Sequence, residues 1–253
     1  MPTPFYHLSL AEEILDHPVL EADAADFFKE YKAAFFLGNT APDVQTVSGQ
    51  DRRATHFFDV PITHDSRGAW ERMLLYFPDL ACRKQLRPDK AAFIAGYICH
   101  LLADWHWVLQ IYMPYFYSPV IWETRTQQSY MHNVLRTHLD EQLFPKIDPN
   151  MGGFLHSLKP DHWLPFVSDE HLIKWKEILA DQLTPGGEAK TSQIFAERLG
   201  LPVEKLNAFI SSPQRLQDEL YVYVPATIEV RYRQQIIRES VRQLNHIWEQ
   251  HVC

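Results

Sequence analysis

Residues 91–108, AAFIAGYICHLLADWHWV, decide the fold of this chain. Phe93, Ile94, Tyr97, Ile98, Leu101, Leu102 and Trp107 leave almost no polar stripe, so the run reads as a buried helix at the centre of the protein. His100 and Asp104 stand four residues apart, one above the other on a single face, and Gly96 falls one turn earlier on the same line. An imidazole and a carboxylate inside an apolar run are costly unless something satisfies them. Asp104 can hold the His100 ring by a hydrogen bond, it can pair with an arginine from another helix, or the two can share a metal ion. The H-x-x-x-D spacing alone does not choose among these.

Working outward, the chain has 253 residues, 46% of them hydrophobic and 13% aromatic, which suits one well-buried globular domain spanning 1–253. Its formal charge of −8 does not favour nucleic acid or an anionic membrane as a partner. Ala91 to Ala103 is too short for a bilayer span and is bounded by Lys90 and Asp104, so no transmembrane segment is predicted. The N-terminus lacks a basic stretch followed by an apolar one, and three cysteines without paired spacing point to a reducing compartment, so a cytoplasmic protein is expected.

Helical periodicity recurs along the chain. HLSLAEEILDH from His7 is a short amphipathic helix, and a second helix is expected from about Ala22 to Leu37, stopped by Gly38 and Asn39. Residues 40–66 carry too many Pro, Gly, Ser and Asp residues for a regular element and read as a long loop bearing Asp43, His56, Asp59, His64 and Asp65. Helices are expected near Arg67–Phe77 and Glu123–Leu143, with the aromatic stretch Tyr112–Trp122 as a connection. Pro145 to Pro165 looks irregular. Short helices follow around Asp169–Gln182 and Gln193–Leu199, two more open at Pro202 and Pro213, and a long one spans Ala226–Gln250. No alternating strand pattern and no repeat appears, so the fold class is all-α. Residues 1–144 hold the candidate chemistry; 145–253 supply helices with no assigned role.

Five residues stand out together: His7 at a helix start, Asp43 after a helix stop, His56 in the loop, and His100 with Asp104. Histidine and aspartate are zinc ligands, and a carboxylate can bridge two ions. In order, FYHLSLAEEIL, FFLGNTAPDV, ATHFFD and AFIAGYICHLLAD resemble the zinc-dependent phospholipase C family, whose all-helical fold is shared with fungal single-strand-specific zinc nucleases. The resemblance covers about the first 140 residues. It implies that Asp43, His56, His100 and Asp104 hold a first zinc, and that Asp104 bridges to a second zinc held by His7. Pro2 has the spacing from His7 of the residue whose amine and carbonyl complete the second site in the nucleases, so it could supply those atoms if Met1 is removed. Phe57 resembles the aromatic that stacks on substrate; packing in the core is the other reading.

The third zinc site of the family is degenerate here. The histidine expected after the bridging aspartate reads Gln110, and the later H-x-x-x-E/D pair reads His132 and Arg136. An arginine repels a metal but binds a phosphate or carboxylate oxygen in bidentate fashion. One or two zinc ions are therefore expected, with Arg136 in place of the third charge and Asp43 orienting or deprotonating water.

The other histidines carry less. His106 lies about 200° around the helix from Asp104 and faces away. His64 and Asp65 read as a helix cap, and His156, His162 and His171 as surface positions. No G-x-S-x-G elbow supports a serine nucleophile. The sequence thus predicts a zinc-dependent hydrolase of a small-molecule or lipid-type phosphate ester or phosphodiester. Its rivals are a non-catalytic helical scaffold retaining one structural zinc, and a hydrolase of an amide or lactone. Side chains held more than a coordination shell apart, or an arginine or lysine neutralising them, would remove the enzyme reading.

Overall fold

The structure is a computed structural model that describes residues 1–62, 68–117 and 120–249. Every regular element among these residues is helical, and none is a strand. The central helix spans Pro88–Trp107, entered through Pro88, whose missing N–H costs nothing in a first turn. It packs against Lys32–Gly38, Ala69–Tyr76, Pro4–Leu15 and the last helix Ala226–Glu249. Buried apolar side chains from Phe5 to Leu244 join in one cluster around it.

The tightest crossing is with Lys32–Gly38, and two glycines permit it. A Cβ on Gly96 would lie 2.0 Å from the Phe35 carbonyl oxygen, and one on Gly38 would lie 2.0 Å from that of Phe93. Backbone thus meets backbone, and the end of Lys32–Gly38 is delivered to the face carrying His100.

The remaining differences from expectation have local causes. The helix expected over 22–37 is two, Ala22–Glu30 and Lys32–Gly38, broken at Tyr31 with φ −102° and ψ 31°. The loop after Asn39 contains three single turns, Ala41–Val44, Gln45–Ser48 and Arg53–His56, too short to leave a periodic signature. His64 and Asp65 lie outside the described residues. The aromatic stretch begins as a continuation of the central helix: Val108–Phe116 is π-helical and contains Pro114. The widened turn and the missing Pro114 donor mask the 3.6-residue period.

With that continuation, Pro88–Phe116 is 29 residues long and apolar enough to cross a membrane, contrary to the length argument above. Its apolar window is 78% buried by the protein's own helices, as in a core helix. Met151–Ser157 is helical where irregular chain was expected. Cys99 is buried and free.

Candidate metal centre

Each candidate side chain is placed by a local device. Thr3 caps the first helix, Pro4–Leu15, by accepting from the Tyr6 N–H at 3.2 Å, which sets His7 one turn inside and fully buried. Asn39 ends the helix that crosses at Gly96, and its carbonyl accepts from His100 Nδ1 at 2.7 Å. That bond assigns the His100 proton to Nδ1 and leaves a lone pair on Nε2. Asp43 sits in the turn Ala41–Val44. His56 ends the turn Arg53–His56, with its Nδ1 3.0 Å from Thr55 Oγ1. The Tyr97 hydroxyl donates to the Thr55 carbonyl at 2.6 Å and ties this turn to the central helix.

These devices bring all five residues together around Asp104. His7 Nε2 lies 3.4 Å from Asp104 Oδ1. His56 Nε2 and His100 Nε2 lie 3.3 and 3.8 Å from Oδ2. Asp43 Oδ1 is 3.7 Å from His56 Nε2. The rings of His7 and His100 stack at 3.8 Å with planes 13° apart. His7, His56, His100 and Asp104 are all 0% exposed.

Burial and the neighbouring His7 push His100 down to about 3, so its imidazole is neutral. Burial alone would raise the Asp104 carboxyl, yet His100, His56, His7 and Arg52 hold it well below the usual carboxylate range. Asp43 is likewise lowered to about 2 by His56 and His100, against its burial.

Both nitrogens of His7, Nε2 of His56, Nε2 of His100 and Oδ1 of Asp104 are buried without a hydrogen-bond partner. Unpartnered donors and acceptors of this kind are rare in a folded interior. Here they converge. Two overlapping groups, His7–His100–Asp104 and Asp43–His56–His100, each offer ligand atoms within 4.8 Å of one another. Imidazole nitrogens and carboxylate oxygens form the donor set zinc prefers, so the residues fit the metal.

One feature was missed. Arg52 Nη2 donates to Asp104 Oδ2 at 2.6 Å, which is the arginine pairing weighed above. In sequence, Asp51, Arg52 and Arg53 look like solvated loop charges; the clue is that Arg52 lies four residues before His56. The pairing neutralises one carboxylate at one oxygen and leaves the imidazole nitrogens and Oδ1 unsatisfied.

Phe57 does not face a substrate cleft. It closes the turn after His56 with φ 61°, is 7% exposed, and packs against Tyr76, Phe77 and Phe166. The side chains at the degenerate third site are bonded to protein groups. Trp107 Nε1 donates to His132 Nε2 at 3.0 Å, so that nitrogen is already engaged. Gln110 bonds to His106, which pairs with Glu239 at 2.7 Å and faces away from Asp104 as expected. Arg136 donates to the Met1 carbonyl at 3.2 Å and to Asn133 Oδ1. Burial and Arg136 hold the Met1 amine well below its ordinary range. An open cleft of about 570 Å³ is lined by Arg52, Phe58, Tyr112, Tyr117, His132 and Arg136, among others, between the loop after Asn39 and the aromatic stretch.

Fold and site together define an all-helical protein with a buried histidine–aspartate centre suited to a metal. Residues 6–139, just over half of the 253, match the family model described as zinc dependent phospholipase C, and the chain belongs to that family. At the family level it is a zinc-dependent hydrolase. No curated protein and no solved structure gives a significant match.

Proposed function

We propose that the chain hydrolyses phosphate esters or phosphodiesters with one or two zinc ions held by His7, Asp43, His56, His100 and Asp104. The observation that carries this reading is the convergence of unpartnered buried ring nitrogens on the Asp104 carboxylate. Zinc held there would supply Lewis acidity to a phosphoryl oxygen and to water.

The chain's own residues do the rest. Asn39 and Thr55 orient the imidazoles of His100 and His56. Asp43, 19% exposed and kept ionised at neutral pH, accepts the proton of an attacking water. Arg136, held by its bonds to the Met1 carbonyl and Asn133 Oδ1, lines the cleft beside Arg52 and His132 and adds positive charge there for an anionic ester. Pro2 lines the neighbouring cleft and could complete the site if Met1 is removed; active protein that retains Met1 by intact mass would rule that out.

The test is a panel of chromogenic phosphodiesters and monoesters assayed on zinc-loaded protein beside His100→Ala and Asp104→Asn. Hydrolysis lost in both variants supports the reading. Hydrolysis that survives both places the chemistry elsewhere. The Arg52–Asp104 contact favours a second reading, in which one zinc is structural and no ester is turned over; zinc bound without turnover of any panel member would establish it.

A further inference from the structure

A second cleft, of about 270 Å³, opens beside the metal centre. It shares Asp43 and Arg52 with that centre. Its opposite wall comes from the C-terminal half, to which the sequence assigns no role. The helices Asp169–Gln182 and Thr191–Leu199 contribute Ile178, Ile194, Phe195 and Arg198. Arg136 reaches into the same cleft from Arg125–Leu143.

Two properties of the lining do not fit a filler segment. The first is charge. Arg136 lies with its guanidinium 4.3 Å from the Phe195 ring, and Arg198, three residues after Phe195 on the same helix, lines the same cleft. Arg136 donates to two neutral acceptors, its Nε is buried without a partner, and no carboxylate forms an ion pair with it or with Arg198 among the described residues. Arg198 also depresses the Arg136 guanidinium to about 10, with burial the larger cause. Asp43, Asp140 and Asp104 offset this charge only in part and without a hydrogen bond to Arg136, so the paired guanidiniums still favour an incoming anion. The second property is apolar exposure. Ile178 and Ile194 are 36% and 38% exposed, and both line this cleft.

We propose that Arg136 and Arg198 form a subsite for a second anionic group of the substrate, with Ile178, Ile194 and Phe195 receiving a short apolar segment attached to it. The inference rests on the phosphoester reading above and narrows its substrate class to compact amphiphiles carrying an acidic group besides the scissile ester. The small volume suits a head group and a short chain, since sites for drug-sized ligands start near 300 Å³. Planar guanidinium forks match both phosphate and carboxylate, so the acidic group is either of these.

Hexyl phosphate, hexanoate and inorganic phosphate are titrated calorimetrically into the zinc-loaded protein and into Arg198→Gln and Ile194→Ser. Both substitutions are at exposed positions outside the metal centre, and zinc content is measured alongside. Tighter binding of a hexyl anion than of inorganic phosphate is expected, weakened about tenfold by Arg198→Gln, as for one charged hydrogen-bond partner lost. Ile194→Ser should remove the preference for the hexyl chain. Whichever hexyl anion binds tighter identifies the acidic group. Affinities unchanged in Arg198→Gln, or inorganic phosphate binding as tightly as both hexyl anions, overturn the subsite. The arginines report whether or not the ester is hydrolysed. Binding that responds to Arg198→Gln without turnover of any panel member keeps the subsite and sinks the hydrolase, and the reverse pattern does the opposite.

Discussion

Arg52 Nη2 lies 2.6 Å from Asp104 Oδ2, the same carboxylate oxygen that faces His56 and His100. The buried carboxylate therefore has a resident counter-charge, and a cation entering this oxygen must share it with a guanidinium or displace it. Since Arg52 is 25% exposed and Asp104 fully buried, it is the arginine that can swing out. Its ring contact with Phe58, 4.6 Å from guanidinium to centroid, holds it at the cleft edge.

Arg52→Gln should accordingly act with opposite signs on the two states. The metal-free protein loses the partner of a buried charge and is destabilised by about 2 kcal/mol, below the range for fully buried pairs because Arg52 is partly solvated. Zinc affinity rises by about tenfold, since a like charge has left the site. Denaturant titration in chelator and competition with a zinc indicator measure the two effects. Weaker zinc binding in the variant would make Arg52 a support of the site rather than a competitor.

Gly96→Ala tests how the site is positioned. The added Cβ would meet the Phe35 carbonyl at 2.0 Å, which forces the crossing helices apart and draws the Asn39 carbonyl from His100. A stability loss of about 3 kcal/mol is expected, at the upper end for overpacking, together with weaker zinc binding. Ala at the exposed Gly153, where a Cβ meets nothing within 4 Å, is the control.

Asp140 gives a pH dependence separate from the metal residues. It is buried and accepts from Thr3 Oγ1, the cap of the helix carrying His7, and from Thr191 Oγ1 at 2.5 Å. Burial raises its carboxyl to about 7 against the bonds from Thr191 and Thr3 and the charge of Arg136. A raised folded-state value means that the native state binds the proton more tightly than the unfolded chain. The stability it confers is full below the unfolded value near 4 and is lost as pH rises towards 7. Asp140→Asn removes this loss, so the variant should gain on the wild type between pH 5 and pH 8 by on the order of 2 kcal/mol. Parallel urea titrations at the two pH values check it, and a difference that does not change with pH would contradict it.

Much of this is legible in the chain itself. The buried run around His100 and Asp104 marks the central helix, and the ordered appearance of His7, Asp43 and His56 marks the cluster, because ligand type and helical spacing are written in the chain. What was not legible depends on approach in space. Arg52 reads as a surface charge because nothing in DRRATH shows that its side chain folds back onto Asp104. Phe57 reads equally as stacking or core, and only its left-handed backbone turns it inward. The helical continuation through Pro114 is hidden because a π turn breaks the period by which helices are recognised.

Zinc content is the measurement closest to the centre. Protein dialysed against excess zinc and then buffer, analysed by elemental mass spectrometry, should hold one or two zinc ions per chain, with at least one lost in a His100→Ala, Asp104→Asn double variant that keeps its helical circular dichroism. Wild-type protein that retains no zinc, or a double variant that retains as much as the wild type, would contradict a metal centre built around Asp104.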